Sequence, residues 1–303
     1  MAEDLEHYAG TLLTRLLRQE NVVEISLNEN GAVFVKCFGQ APEPAGQIGP
    51  EEATAFLRWC ASKNTLFLRD DDPFLSTVVP GTAHRIEGVV PPVALAPIFS
   101  IRRHREDIPS LASFGLKPKM IEDLTKLMLE RKSIVVAGGT GTGKTTFLAA
   151  LMAHLASKSP QERVVILEDT RELISRFSNT VRLLANAEHS LDRLLVSTLR
   201  LAPDRIILGE LRTGAVALTL LKAWNTGHPG GFTTIHANSA QEAISRINTL
   251  LSEVVQNPQG HLIMNSLGAV VYLERRNQKP WIHSIGHPTP NGEMETKNAK
   301  KGS

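Results

Sequence analysis

Between an apolar run at residues 134–137 and a helix-forming run at residues 147–155 stands Gly138-Gly-Thr-Gly-Thr-Gly-Lys-Thr-Thr146. No other segment constrains the fold as much. The spacing G-x-x-x-x-G-K-[ST] works as a turn from a buried strand into a helix: successive backbone N–H groups curl round an anion, and the helix N-terminus adds its partial positive charge. Gly138, Gly139, Thr140, Gly141, Thr142, Gly143, Lys144, Thr145 and Thr146 are the expected contacts to a bound nucleotide. Lys144 would reach its β- and γ-phosphates, and the Thr145 hydroxyl would ligate Mg²⁺.

The rest of the chain limits what such a turn can serve. With 33 basic and 31 acidic residues among 303, the formal net charge is only +2, so no field of one sign covers the surface and there is no strong sign of direct nucleic-acid binding. Cys37 and Cys60 form no C-x-x-C pair, and the start of the chain lacks a basic segment followed by an apolar one. Both observations suit a reducing cytoplasm. No run approaches the roughly 18 apolar residues that would span a bilayer, so any membrane contact is expected to be peripheral.

Two domains and a tail are expected. Residues 5–18 place Leu5, Tyr8, Leu12, Leu13, Leu16 and Leu17 on one helical face, to pack on their own domain or, alternatively, to dock on a membrane or partner. Residues 22–27 and 32–38 alternate around Asn28-Glu-Asn-Gly31, a hairpin signal. A helix follows from Pro50 to about residue 62, and β-like runs recur at 74–79, 84–90 and 97–102. Residues 1–103 thus read as an α+β domain with a mostly antiparallel sheet. Residues 104–117 lose periodicity and read as a linker. From 118 to 291 helices and strands alternate: helix 118–130, strand 133–137, helix 144–157, strand 163–167, helix 190–200, strand 205–208, helix 213–225, strand 232–236, helix 239–252. Nearly continuous apolar strands between helices imply an α/β domain with a mostly parallel sheet buried on both faces. Residues 292–303, polar and poor in apolar side chains, are expected to be disordered.

A phosphate-binding turn admits many chemistries, and polar residues at strand ends must discriminate. Glu168 follows an apolar strand, at the edge where open α/β sheets bind ligands; the alternative is a helix cap. Glu210 ends Asp204-Arg-Ile-Ile-Leu-Gly-Glu210-Leu-Arg212, where Gly209 stands in the place many such proteins give to Asp. The two carboxylates could divide the work, one in the Mg²⁺ shell and one orienting water, and spacing leaves open which does which. Gly227-His228-Pro-Gly-Gly-Phe-Thr-Thr-Ile-His236-Ala-Asn238 offers two imidazoles, read as reporters of the nucleotide's state and not as metal ligands.

Taken in order, these four segments resemble the traffic ATPases of the type II/type IV secretion superfamily, and within it the TrbB-type conjugal-transfer ATPases, whose Walker A, Asp-box, Walker B and His-box roles they match. The resemblance implies a RecA-like ATPase domain, ATP and Mg²⁺ as ligands, and assembly into a homohexamer with nucleotide between the domains. Lys144, Glu168, Glu210 and His236 would carry catalysis, Thr145 and Glu210 would meet Mg²⁺, and His228 would touch nucleotide. Gly81-Thr-Ala-His-Arg85 through Ser100-Ile-Arg102-Arg103 matches the family's N-terminal arginine pattern, giving Arg102 and, more weakly, Arg85 and Arg103 to the phosphates. With two cysteines the chain lacks a four-cysteine zinc insertion, and the wording Lys222-Ala-Trp-Asn-Thr-Gly-His-Pro-Gly fits the conjugation branch. The expected function is ATP hydrolysis that powers pilus assembly or substrate transfer by a type IV secretion system. Its partners would be inner-membrane and cytoplasmic components of that system, and its place the cytoplasm, peripheral at the cytoplasmic face of the inner membrane. The alternatives are a RecA-like DNA translocase and a nucleotide-gated docking scaffold with little turnover.

Overall fold

The structure, a computed structural model, describes residues 2–37, 40–103, 107–186, 188–256, 260–277, 279–289 and 294–298, with side chains from Leu5 onward. It divides into two compact units, Met1–Glu106 and Asp107–Ser303. Phe38, residues 104–106 of the expected linker, and residues 292, 293 and 299–303 of the expected tail lie outside the described residues.

In the first unit the chain runs α1 (Ala2–Arg18), β1 (Val22–Leu27), β2 (Ala32–Cys37), β3 (Glu43–Gln47), α2 (Pro50–Lys63), β4 (Phe74–Val78), β5 (Arg85–Val89) and β6 (Ile98–Arg102). The strands form one six-stranded sheet in the order β3-β2-β1-β6-β5-β4. Every neighbouring pair is antiparallel. Period-2 alternation sends Ile25, Leu27, Val33, Val35, Ile86, Phe99 and Ile101 into a core shared with Leu13, Leu16 and Leu17 of α1 and Phe56, Leu57 and Cys60 of α2. Leu5 and Leu12 pack against the same core. Most of the apolar stripe of α1 is therefore taken up inside its own unit, while Tyr8 stays 37% exposed. α1 also breaks at Gly10, whose φ of 64° and ψ of 175° leave the helical region. A Cβ there would collide with Glu52 Oε1.

The second unit carries α3 (Pro118–Leu129), β7 (Ser133–Gly138), α4 (Lys144–Lys158), β8 (Val164–Glu168), β9 (Thr180–Leu184), α5 (Leu191–Thr198), β10 (Arg205–Leu208), α6 (Gly214–Asn225), β11 (Phe232–His236), α7 (Ala240–Ser252), α8 (Gly260–Ser266), β12 (Leu267–Arg276), β13 (Lys279–Pro288) and β14 (Met294–Asn298). Its sheet order is β14-β13-β12-β7-β11-β10-β8-β9. The six strands from β12 to β9 are parallel and the hairpin β12–β13–β14 is antiparallel. One face packs Ile134, Val136, Val164, Ile166 and Ile207 against Phe147, Leu151 and Leu155 of α4. The other packs Val135, Val165, Leu167, Ile206 and Leu208 against Leu220 and Leu221 of α6 and Ile244 and Ile247 of α7. Burial on both faces explains the unbroken apolar runs of these strands.

Two stretches differ from the sequence reading. Within the expected linker, Leu111 and Phe114 form a 3-10 turn and, with Leu116, sit in the core of the second unit. The Phe114 ring meets Phe147 at 4.9 Å. Three apolar side chains spaced around Gly115 are enough to anchor this stretch. Within the expected tail, residues 294–298 add β14 to the sheet edge. An edge strand is held mainly by backbone hydrogen bonds, which a polar composition does not forbid.

Candidate nucleotide site at the carboxyl edge of the second sheet

Parallel strands bring their carboxyl ends to one edge, and here that edge collects Gly138 from β7, His236 from β11, the segment after β10 and Glu168 from β8, in that spatial order. The phosphate loop leaves β7 with Gly138, where an added Cβ would fall 2.5 Å from Thr142 Oγ1 and 2.8 Å from the Leu273 carbonyl. Gly141 (φ 71°) and Gly143 (φ 93°) take left-handed conformations that favour glycine. Gly143 stands at the N-cap of α4 without a capping side chain, so the first N–H groups of the helix remain available to an anion. The Thr142 hydroxyl donates to the Gly139 carbonyl at 2.8 Å, and Lys144 Nζ donates to the same carbonyl at 2.9 Å. Burial pulls the Lys144 ammonium below its ordinary pKa; Glu210 partly offsets this and Arg212 adds to it. A cationic group held at such a cost in a glycine cradle fits a phosphate. Thr145 is half-buried and Thr146 exposed on the first turn of α4.

The two carboxylates are in different circumstances. Glu168 is buried, with 3% of its side chain exposed. Its Oε1 accepts the N–H groups of Glu172 (2.9 Å) and Leu173 (2.7 Å). Its Oε2 has no hydrogen bond and lies 3.9 Å from Arg182 Nη1. Burial raises its pKa above the ordinary carboxylate value, outweighing the two backbone hydrogen bonds and Arg182, which lower it. The capping alternative thus describes what Oε1 does, although the segment it holds is a loop and not a helix. Glu210 is half-buried beyond β10, and its Oε2 accepts from Arg212 Nε at 2.8 Å and Nη2 at 2.5 Å. At Gly209 an added Cβ would stand close to Glu168 Cγ, at 3.3 Å. Strand β11 supports this point, with the Thr234 hydroxyl donating to the Gly209 carbonyl at 2.8 Å.

His236 is brought to the loop, with Nε2 3.1 Å from Thr140 Oγ1. His228 is not. It precedes β11, at the amino edge of the sheet, where its Nδ1 lies 3.3 Å from the Pro203 carbonyl. β11 is five residues long, so roughly 13 Å of strand separates the two edges at about 3.3 Å per residue. Closeness in sequence concealed that a strand crosses the sheet between the two histidines.

In the first unit, Arg85 and Arg102 face each other across β5 and β6. Arg85 is paired with Glu87, Nε at 2.8 Å and Nη2 at 2.7 Å, whereas Arg102 is exposed. Arg103 turns its Nη1 to the carbonyls of Leu17, at 3.3 Å, and Gln19. It thereby ties the end of α1 to the end of β6. Sequence reasoning passed over Arg182 on β9, Asp169 and Arg212. Arg212 alone left a local trace, two positions after Glu210 in an extended segment. Among the described residues no group of His, Cys, Asp and Glu is gathered in the manner of a metal centre, and no helix is long and apolar enough to cross a membrane.

Comparison with known proteins accords with this arrangement. Residues 71–279 match the family model "Type II/IV secretion system protein". The conjugal transfer protein TrbB of Rhizobium radiobacter is 38% identical over 95% of this chain and 90% of its own length. The type IV secretion system protein VirB11 of Bartonella quintana (strain Toulouse) is 28% identical over 80% of this chain and 79% of its own. Among solved structures, the ATPase DotB of Legionella pneumophila superposes with a TM-score of 0.67 at 18% identity, covering 98% of this chain and 80% of that one; it supports the fold alone. The chain belongs to the type II/IV secretion system protein family, among its type IV secretion and conjugal-transfer ATPases.

Proposed function

We propose that the chain binds and hydrolyses ATP with Mg²⁺, as a homohexameric motor of a type IV secretion or conjugation apparatus, working in the cytoplasm against inner-membrane components. The observation that carries the reading is the convergence of Lys144, Glu210 and His236 on one sheet edge around a glycine cradle. Lys144 and the N-terminal turn of α4 would hold the β- and γ-phosphates, and Thr145 with Glu210 would hold Mg²⁺, partly through water. Bound there, Mg²⁺ would neutralise charge on the phosphates. Glu210 keeps Oε1 clear of its pairing with Arg212 and is the carboxylate suited to orient water. Glu168, engaged with the N–H groups of its own loop, holds that loop at the site. His236 reports occupancy through Thr140. Within the first unit Arg103 and Arg85 already serve carbonyls and Glu87, whereas Arg102 is exposed. The relatives of this chain belong to secretion and conjugal-transfer systems, which supports placing the motor there.

Phosphate release should be measured across a wide range of protein concentration, with Lys144→Ala as the blank and with Mg²⁺ or chelator present. Mg²⁺-dependent specific activity that rises with concentration and then levels off is the expected result. Glu210→Gln should bind ATP and fail to turn it over. Activity at the blank level at every concentration would defeat the hydrolysis reading, and normal turnover by Glu210→Gln would defeat the assignment of Glu210.

A further inference from the structure

One cation at the carboxyl edge of the second sheet has no place in the roles assigned so far. Arg212 lies two positions beyond Glu210, and both its Nε and its Nη2 donate to the same oxygen of that carboxylate, Oε2. Its third arm, Nη1, reaches Asp169 Oδ2 at 3.3 Å. One planar group thus bridges the segment after β10 and the loop after β8, and those two strands are neighbours in the sheet. Two consequences follow from the geometry. Paired donors hold the Glu210 side chain through Oε2, and they leave Oε1 outside the pairing. The bridge also links the position of Glu210 to the loop that Glu168 holds from beneath through Glu172 and Leu173.

We propose that Arg212 is a positioning residue for hydrolysis, fixing Glu210 through Oε2 and locking it to the Asp169 loop so that Oε1 is presented toward the phosphate loop. This rests on the reading of Glu210 as the acting carboxylate. The electrostatics agree: the Glu210 hydrogen bond leads the causes that raise the Arg212 pKa, and Lys144 senses both Glu210 and Arg212. The competing description is a surface ion pair of no consequence, since 62% of the Arg212 side chain is exposed and exposed pairs contribute little to stability. What separates the two is the fork: a guanidinium can place two donors on Glu210 and a third on Asp169, and an ammonium cannot reproduce that arrangement.

The test is steady-state ATP hydrolysis by full-length Arg212→Gln, Arg212→Lys and Asp169→Asn beside wild type and the Lys144→Ala blank. Loss of positioning should lower kcat of Arg212→Gln by about 10–100-fold while KM for ATP changes by less than about threefold. Arg212→Lys should fail to restore the rate, Asp169→Asn should lose only a few-fold, and the thermal midpoint should stay at the wild-type value. Arg212→Gln turning over as fast as wild type or faster would overturn the proposal. So would full rescue by lysine, which would reduce the role to charge, or a loss confined to KM. A wild-type rate equal to the blank would overturn the hydrolysis reading and this inference with it.

Discussion

The two edges of the second sheet use the same pair of side chains, an arginine and a glutamate, in opposite ways. At the amino edge Arg205 is 1% exposed and Glu162 14%. Arg205 Nε donates to Glu162 Oε2, Nη2 donates to Glu162 Oε1 at 3.1 Å and to the Met128 carbonyl at 2.8 Å, and Nη1 donates to the Gly230 carbonyl at 2.7 Å. Arg131 adds a second cation to Glu162 and also bonds the Asp204 carbonyl, at 3.0 Å. The network joins α3, the turn before β8, β10 and the turn before β11, so it fastens the starts of the strands together. At the carboxyl edge Arg212 and Glu210 are more open, and Oε1 of Glu210 is not used by that pairing. The difference teaches where a fold keeps its reserve of reactivity: the saturated pair supports the sheet, and the unsaturated pair keeps one carboxylate oxygen out of the pairing.

The sharpest way to break that contrast is to remove Arg205. Arg205→Met keeps the volume of the stem but leaves Glu162 with Arg131 alone, removes the side-chain donor of the Gly230 carbonyl, and leaves the Met128 carbonyl with backbone donors only. Removing one partner of a buried pair typically costs about 3–5 kcal/mol, and urea unfolding of the full chain should show a loss of that order. A loss under about 1 kcal/mol, the range of exposed pairs, would mean that the amino edge is not a support at all.

These two edges were also unequally legible. The phosphate loop and Glu210 lie within short segments whose spacing carries their meaning. Arg205, in contrast, finds partners 25, 43 and 77 positions away, and no local pattern distinguishes it from a charge at a strand start. The central strands could be read because burial on both faces demands apolar runs such as Val164-Val-Ile-Leu167. The marginal strands could not. β3 contains Pro44 and is mostly exposed, β9 carries Arg182 and is half-exposed, and both are sheet edges that lack the alternation of a half-buried strand. His228 was misplaced for a related reason, since a motif read along the chain does not show that a strand carries it across the sheet.

A second, smaller effect tests the division between Glu168 and Glu210. Glu168→Gln retains an acceptor for the Glu172 and Leu173 N–H groups and removes the buried charge. Because burial raises the Glu168 pKa above its ordinary 4.5, folding favours the neutral carboxyl. The advantage is whole below about pH 4.5 and fades as pH rises through the folded value. Wild type and Glu168→Gln should therefore melt alike in acid, and the variant should become the more stable of the two as pH rises. A variant less stable than wild type at pH 7 would show that Arg182, 3.9 Å from Oε2, outweighs burial and that Glu168 is held ionised.

The smallest effect belongs to the pair at the carboxyl edge. Arg212→Gln removes three hydrogen bonds, yet the arginine is 62% exposed and Glu210 27%, so water can replace most of what is lost. The change in unfolding free energy should lie within about 0–1 kcal/mol and shrink as salt screens the charges, measured by the same urea titration as Arg205→Met at low and moderate salt. Near-silence in stability is what allows any fall in turnover by this variant to be ascribed to the placement of Glu210. A loss comparable to that of Arg205→Met would instead make Arg212 a second support of the sheet, and the contrast between the two edges would disappear.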